Sequence, residues 1–252
     1  MRFRLAYRAW KARVRDQRLE VAITRALARP GDFVVDAGAN KGAYVYWLRR
    51  AVGPTGRVLA FEPQPALAAY LGRATQAFGW SNVDVRDVAL SDHAGTSILH
   101  VPGTGASPGA SLEPAAIASV AGRTFECAVD TLDRQLEGQP PLRFLKVDVE
   151  GHELALFRGA RATLERNRPH LLFECEARHL TTHSVDDVFA HLFGLGYKGF
   201  LLGGRTLLPV DQFDVDRHQP RSGPDFWKRD DYYNNFLFVA TGFDVTPLTR
   251  WL

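Results

Sequence analysis

Short apolar strands alternate with helical segments along most of the chain, and this alternation limits the fold more than any other feature. Strands are predicted at residues 32–36, 57–62, 82–90, 142–148, 170–174, 197–202 and 235–240, and helices at 43–52, 63–78, 153–166 and 184–195. Strands that alternate with helices across short connections form a parallel sheet with helices on both faces. No helix separates the last two strands, so we expect them to form an antiparallel pair at one edge of this α/β sheet.

Composition excludes several other classes of protein. Hydrophobic residues make up 46% and charged residues 23% of the 252 residues, as in ordinary globular domains. No apolar run is long enough to span a bilayer, and no apolar segment of the kind found in secretory signals follows the arginine-rich start. Cys127 and Cys175 are the two cysteines, too few for a disulfide framework or a cysteine zinc site, and we expect both in the core. A reducing, cytoplasmic location is therefore expected.

The net charge of +3 is unevenly distributed. Residues 1–30 carry nine Arg or Lys against Asp16 and Glu20, so this segment has a charge of +7 and the rest of the chain −4. Residues 1–29 are predicted to form one helix, which Pro30 and the following glycine end. We therefore divide the chain into a basic N-terminal helical extension at 1–30 and a single domain at 31–252.

The N-terminal helix carries an aromatic stripe. Phe3, Tyr7, Trp10 and Val14 recur at helical spacing between arginines. Two interpretations stay open: the stripe lies on a membrane surface or a partner, or it packs on the domain or on a second subunit of a homo-oligomer. Because the rest of the chain is acidic, the basic segment does not by itself indicate a nucleic-acid partner, and we expect none.

Carboxylates follow the predicted strands at the points where the strands end. Asp36, Glu62, Asp148 and Glu174 close four strands, and Asp87 lies within the third strand region. Ligands of such sheets bind outside the carboxyl ends of the strands. Any one of these residues could instead cap a helix or face solvent, but the ordered set indicates a ligand site.

The loop after the first strand indicates the kind of ligand. Gly38 permits a tight turn, and Asn40 tolerates a left-handed backbone where another glycine might stand. Glu62, at the end of the next strand, is placed to accept both hydroxyls of a ribose. A dinucleotide site has a glycine at the position of Asn40, which lets the backbone touch a pyrophosphate. A ligand with a ribose but no phosphates fits this loop better.

Six short motifs occur in order between residues 31 and 240. They lie at 35–42, 61–63, 88–92, 129–133, 145–153 and 234–239, and the most specific is the Lys-Val-Asp-Val-Glu-Gly-x-Glu run that begins at Lys146. With these motifs the sequence resembles the FkbM family of class I S-adenosylmethionine-dependent methyltransferases. The resemblance implies a Rossmann-like three-layer sandwich with a mostly parallel seven-stranded sheet and an antiparallel edge strand.

The resemblance also implies S-adenosylmethionine as cofactor and a set of residues that bind it. Asp36, Gly38, Asn40 and Gly42 would line its methionyl and ribose side. Glu62 would hold the ribose hydroxyls, Asp87 the adenine edge, and Asp148 the amino group or the sulfonium side.

Methyl transfer to a hydroxyl benefits from a base that removes the proton as the oxygen attacks. The candidates are His152, Asp148 and Glu174, and among them His152 is the natural base near neutral pH. An exposed histidine in the first turn of a helix is the other interpretation of His152. Asp148, Glu150 and Glu174 could instead gather a divalent cation, but we assign no metal ligand.

Two further histidines, His179 and His183, have the spacing of a helical metal pair but lie in a segment that favours a loop.

The acceptor is expected to bind under insertions at 102–122, 177–184 and 211–234. The last of these is rich in aromatic, Arg and Asp side chains, which suit a sugar, a glycan or a small natural product. Oxygen as the nucleophile comes from the family resemblance. The alternatives are a nicotinamide-dependent oxidoreductase, which should have a glycine at position 40, and a protein that binds or modifies nucleic acid.

Overall fold

The computed structural model describes residues 1–113, 121–203, 206–221 and 225–251. The strands in these ranges are β1 (Phe33–Ala37), β2 (Arg57–Phe61), β3 (Val83–Arg86), β4 (Ala89–Leu90), β5 (Gly95–Pro102), β6 (Gly122–Asp130), β7 (Leu142–Val147), β8 (His170–Glu174), β9 (Tyr197–Gly203), β10 (Thr206–Pro209) and β11 (Asn235–Ala240). The α-helices are α1 (Arg2–Lys11), α2 (Arg18–Leu27), α3 (Ala43–Val52), α4 (Pro65–Phe78), α5 (Leu132–Gln135), α6 (Glu153–Arg158), α7 (Arg161–Asn167), α8 (Val185–Gly194) and α9 (Val215–His218).

The main sheet is mostly parallel. Within the described ranges it has eight strands in the order β10-β9-β11-β8-β7-β1-β2-β3. Strand β1 pairs in parallel with β2 and β7, and the parallel pairing continues from β2 to β3 and from β7 to β8. Buried side chains lie on both faces of this sheet. Helices α1 to α4 pack on one face, and helices α6 to α8 pack on the other. The predicted three-layer, Rossmann-like α/β fold is confirmed.

The edge of the sheet differs from the prediction in one respect. Strand β11 forms the expected antiparallel pair with β9, but it is not the edge strand, because it lies between β8 and β9 and pairs antiparallel with both. Its residues Phe236, Leu237 and Phe238 are all fully buried, as a strand covered on both faces requires. The antiparallel edge strand is instead β10, which pairs with β9 and brings the strands of this sheet from the predicted seven to the eight seen in the described ranges.

A second, smaller sheet accounts for the region after β3. The predicted strand at 82–90 is broken, because β4 leaves the main sheet and pairs in parallel with β6, which pairs antiparallel with β5. Leu99, Val101 and Cys127 belong to a small core of its own. Both cysteines are buried and free, as expected.

The predicted helix at 153–166 is two helices, α6 and α7. They meet at Gly159, where an ideal Cβ would overlap the backbone carbonyl of Ser91. Glycine is therefore required for the close approach of this segment to the residues after β4. Helix α8 begins with a capping box in which the Ser184 and Asp187 side chains bond each other's backbone N–H groups.

The basic N-terminal segment is helical and packs on the domain through one face. Helices α1 and α2 are joined by a π-helical turn, Ala12–Asp16, so the predicted single helix is interrupted there. Leu5 and Ala9 are fully buried, and Trp47 Nε1 donates to the Ala9 carbonyl at 2.8 Å. The predicted aromatic stripe lies on the other side, with Phe3 90% exposed, so the interpretation that the stripe packs on the domain is wrong.

In the ranges that the structure describes, no helix is both long and apolar enough to cross a bilayer.

A buried carboxyl group in α6 makes stability dependent on pH. Glu153 is 1% exposed, and burial raises the pKa of its side chain to about 7. The folded protein therefore keeps this proton up to about pH 7, while the unfolded chain releases it near the ordinary value of 4.5. The contribution of Glu153 to the free energy of unfolding is therefore complete below about pH 4.5, its pKa in the unfolded chain. It is lost as pH rises through about 7, its pKa in the folded protein.

We expect Glu153→Gln to remove this pH dependence. The difference in free energy of unfolding between variant and wild type should shift in favour of the variant by about 3 kcal/mol between pH 4.5 and pH 8. Urea denaturation across that range measures it. Glu165→Gln, in the exposed part of α7, is the control and should follow the wild-type curve. Parallel curves for Glu153→Gln and wild type would contradict the prediction.

Candidate active site

A cavity opens at the carboxyl ends of β1, β2 and β7. Its lining comes from the loop after β1 (Ala37, Gly38, Asn40), from β2 and the residues after it (Phe61, Glu62, Pro63, Gln64), from the small sheet (Val88, Ala89, Leu90, Leu99), from the loop after β5 (Pro108, Ala110, Leu112) and from the residues after β7 (Asp148, Val149, Glu150, His152). Five predicted site residues therefore meet at one cavity: Gly38, Asn40, Glu62, Asp148 and His152.

The loop after β1 has the strained backbone that its sequence predicts. Gly38 has a φ of +81°, and an ideal Cβ there would overlap the carbonyl oxygen of Asp148. Asn40 has a φ of +46°, which confirms the left-handed conformation predicted for it. Its side-chain Oδ1 is buried and has no hydrogen-bond partner within the described part of the chain. The loop therefore brings β1 against the residues after β7 and leaves a free acceptor at the cavity.

Glu62 is fixed by two backbone amides. Its Oε2 accepts from the N–H of Asn40 at 2.7 Å, and its Oε1 from the N–H of Gln64 at 2.9 Å. Glu62 is 2% exposed, and burial raises the pKa of its side chain. The Gln64 side chain in turn exchanges two hydrogen bonds with the backbone of Ser107, which ties the loop after β5 to this side of the cavity.

A buried lysine lies beneath the carboxylates at the ends of β1 and β7. Lys146 is fully buried, donates to the Val147 carbonyl at 2.9 Å, and has its Nζ 3.8 Å from Asp148 Oδ2. Asp36 lies behind the cavity at 1% exposure, where burial raises its pKa to about 7 against the opposing charge of Lys146. Asp36 is therefore absent from the cavity lining, whereas Asp148 is part of it.

His152 lies at the start of α6 with both ring nitrogens engaged. Its Nδ1 is 2.8 Å from Glu113 Oε1, and its Nε2 is 2.9 Å from Ser91 Oγ. The hydrogen bond to His152 lowers the pKa of Glu113, so Glu113 is a carboxylate. With Nδ1 protonated toward this carboxylate, Nε2 is left as a hydrogen-bond acceptor.

The sequence did not point to either partner of His152. Ser91 lies in the motif at 88–92, but nothing marked its hydroxyl as a neighbour of His152. Glu113 is 39 residues away in a loop without periodicity, so only the tertiary structure shows this contact.

Three other predicted site residues lie outside the cavity lining. Gly42, at the start of α3, has a φ of +82°, and an ideal Cβ there would be 2.5 Å from Leu71 Cδ2, so this glycine serves helix packing. Asp87 is exposed, and its neighbour Val88 lines the cavity instead. Glu174 ends β8 and accepts from Asn234 Nδ2 at 2.9 Å, and burial raises its pKa well above the ordinary value.

Beyond Glu174 lies a second depression, which we call the Trp227 recess. It is lined by Glu176, Arg178, Trp227, Tyr232 and Asn234. Glu176 accepts from the Tyr232 hydroxyl and forms an ion pair with Arg178, with Nε and Oε2 2.6 Å apart. Asn234 connects Glu174 to this recess, because its Nδ2 also lies 3.2 Å from Glu176 Oε1.

Each carboxylate that could have gathered a cation has its own partner. Asp148 is next to Lys146, Glu174 accepts from Asn234, and Glu150 Oε2 is 3.0 Å from Nδ1 of His179. Across the ranges given above, no group of three or more His, Cys, Asp or Glu side chains is arranged to hold a metal ion.

Comparison with solved structures gives relatives of low sequence identity. The FkbM methyltransferase of Methylobacillus flagellatus KT is 18% identical over 83% of this chain and 43% of its own, with a TM-score of 0.53. An S-adenosylmethionine-dependent O-methyltransferase of Thermotoga maritima is 15% identical over 88% of this chain and 64% of its own, with a TM-score of 0.45. Aeropyrum pernix fibrillarin, with natively bound S-adenosylmethionine, is 12% identical over 88% and 74%, with a TM-score of 0.47.

This chain thus spans less than half the length of the Methylobacillus protein. No protein of curated function matches the sequence. The family model described as the methyltransferase FkbM domain matches residues 36–198, which is nearly two-thirds of the chain and contains every cavity-lining residue named above. The chain therefore belongs to the FkbM family of S-adenosylmethionine-dependent methyltransferases.

Proposed function

We propose that the protein methylates a hydroxyl group of a sugar, a glycan or a small natural product. The observation that carries this proposal is His152, a cavity-lining histidine held between a carboxylate and a hydroxyl. An attacking hydroxyl has a proton to lose, and a positioned imidazole is suited to take it near neutral pH. The alternative of a nicotinamide-dependent oxidoreductase is set aside, because the family is one of methyltransferases.

The cavity fits the cofactor of this family. Glu62 uses one lone pair of each oxygen for a backbone amide and keeps others for the two hydroxyls of a ribose. The unpartnered Oδ1 of Asn40 and the carboxylate of Asp148 are further acceptors that suit the cofactor's ammonium group. When bound, S-adenosylmethionine supplies an activated methyl group on sulfur.

His152 acts on the acceptor hydroxyl in the proposed reaction. The incoming hydroxyl replaces Ser91 as the donor to Nε2, and the Ser91 hydroxyl turns to Asp92 Oδ1, which lies 3.4 Å away. Nε2 takes the proton of the acceptor hydroxyl as that oxygen becomes bonded to the methyl group that S-adenosylmethionine would supply when bound. Glu113, at Nδ1, stabilises the imidazolium that forms.

We place the acceptor between the cavity and the Trp227 recess. Trp227 offers a half-exposed ring, and Arg178, Glu176 and Asn234 offer donors and acceptors beside it. An aromatic face bordered by a few polar groups suits a sugar ring. Glu174 accepts from Asn234 at this boundary, so we assign Glu174 to positioning the acceptor.

Methyl transfer from labelled S-adenosylmethionine to a panel of glycans and hydroxylated metabolites tests the proposal. We expect label in hydroxyl-bearing acceptors, with the product identified by mass spectrometry as a methyl ether. Transfer confined to amine acceptors would contradict oxygen as the nucleophile while leaving the methyltransferase assignment intact.

The role of Glu62 can be tested with the cofactor itself. We expect Glu62→Gln to weaken S-adenosylmethionine binding about 10- to 100-fold, the usual effect of losing a charged acceptor of a hydrogen bond. Calorimetry with S-adenosylmethionine and with its 2′-deoxy analogue makes the test specific. Wild type should prefer the intact ribose, and the variant should lose most of that preference.

Glu126→Gln, an exposed change on β6, is the matched control and should bind both compounds like wild type. If Glu62→Gln discriminated between the two compounds as strongly as wild type does, Glu62 would not hold the ribose.

A further inference from the structure

The first turns of the chain expose an unusual amount of apolar surface. In the described part of the chain, eight large apolar side chains are exposed, and five of them stand in the first 14 residues. These five are Met1, Phe3, Tyr7, Trp10 and Val14. The rings of Tyr7 and Trp10 stack with their centroids 5.9 Å apart. Single exposed apolar residues are ordinary, but a contiguous group marks an interaction surface.

The opposite face fixes this helix on the domain. Leu5 and Ala9 are fully buried, and Arg8 Nη1 donates to the Tyr70 hydroxyl at 2.8 Å. Together with the bond from Trp47 to the Ala9 carbonyl, these contacts hold the apolar stripe outward. The surface is therefore already formed before any partner arrives, and its binding does not require the helix to fold.

Cations border the stripe on both sides. At 3.6 residues per turn, Arg4 and Lys11 fall along one edge of the stripe and Arg2 along the other. Arg2 and Arg13 are exposed on that second side, where their guanidinium groups lie over the rings of Phe78 and Trp47. Asp16 is the one exposed acid of residues 1–30, all of which are described, and it is paired with Lys11 at 3.2 Å and with Arg15 at 2.6 Å. The surface thus combines an aromatic stripe with a strong positive charge.

We propose that α1 binds the surface of an anionic membrane. The stripe would enter the boundary between headgroups and acyl chains, where Trp and Tyr are favoured, and the arginines would meet lipid phosphates. A second copy of the chain fits this surface less well than an anionic membrane does. A two-fold contact along the stripe would bring the bordering arginines of both copies together, with Asp16 as the one exposed acid to offset them.

Vesicle co-sedimentation with the full chain tests this proposal. We expect wild type to bind vesicles that contain phosphatidylglycerol, to bind pure phosphatidylcholine vesicles much more weakly, and to release from the former as salt is raised. The combined variant Phe3→Ser, Tyr7→Ser, Trp10→Ser should bind about tenfold or more weakly, because it removes most of the insertable apolar surface. Its thermal unfolding should match wild type, since the changed side chains are exposed.

The matched control carries Ile98→Ser and Phe193→Ser, two exposed apolar residues outside α1, and should bind like wild type. Failure of wild type to bind phosphatidylglycerol vesicles, or equal binding by wild type and the α1 variant, would overturn the proposal. So would a wild-type dimer that the α1 variant converts to monomer in light scattering without any vesicle binding. The vesicle assay needs neither cofactor nor acceptor, so it stands apart from the proposed reaction.

Discussion

His152→Gln should lower kcat for methyl transfer about 100- to 10,000-fold, the usual contribution of a positioned general base. The variant keeps a side chain of similar reach but loses the nitrogen that accepts the proton. The dissociation constant of S-adenosylmethionine should change little, because the His152 side chain bonds Ser91 and Glu113 rather than the proposed cofactor ligands Glu62, Asn40 and Asp148. Single-turnover measurement with labelled cofactor, beside calorimetric binding, separates the two effects.

Glu113→Gln tests the same arrangement from the other side of the ring. It leaves a hydrogen-bond acceptor at Nδ1 of His152 but removes the charge that stabilises the imidazolium. We expect a smaller fall in kcat than for His152→Gln, again with cofactor binding unchanged, as befits a positioning residue. His191→Gln, on α8 and outside the cavity lining, is the control and should keep wild-type kcat. Full activity in His152→Gln would mean that His152 is not the base and that another residue takes the proton.

The sequence predicted the parts of the fold and site that depend on local pattern. Strands β1, β7 and β8 are short apolar runs that end within one residue of Asp36, Asp148 and Glu174, so their presence and direction could be inferred from the alternation alone. The left-handed backbone at Asn40 followed from the limited set of residues that tolerate it. The placement of Glu62 and His152 at one cavity followed from the rule that strand ends meet.

Features that depend on distant contacts could not be predicted in the same way. Strand β11 pairs between β8 and β9, and its apolar sequence fits an edge pair as well as a central position. Glu113 reaches His152 from a loop whose composition suggests no structure. The aromatic stripe on α1 has the spacing of a buried face, but Leu5 and Ala9 form the buried face instead. In each case the sequence pattern fits two structures equally well, and a tertiary contact determines which of them forms.

Gly38→Ala should lower the free energy of unfolding by about 3 kcal/mol or more and abolish cofactor binding. Two effects add at this position. The φ of +81° disfavours any residue with a Cβ, at a cost of about 1–2 kcal/mol. The new methyl group would also overlap the carbonyl oxygen of Asp148, a backbone atom that no side-chain rotation can move away. Relief requires β1 and the end of β7 to separate, and this displaces Asp148 from the cavity.

Gly79→Ala isolates the first effect, the conformational cost of a positive φ. Gly79 caps α4 with a φ of +70°, and nothing lies within 4 Å of an ideal Cβ there. This variant should therefore lose only the conformational part, about 1–2 kcal/mol, and should bind S-adenosylmethionine like wild type. Urea denaturation and calorimetry on the two variants give the comparison. Equal losses of stability in Gly38→Ala and Gly79→Ala would mean that the carboxyl ends of β1 and β7 can separate without a measurable loss of free energy. Retained cofactor binding in Gly38→Ala would mean that the loop after β1 does not shape the cofactor site.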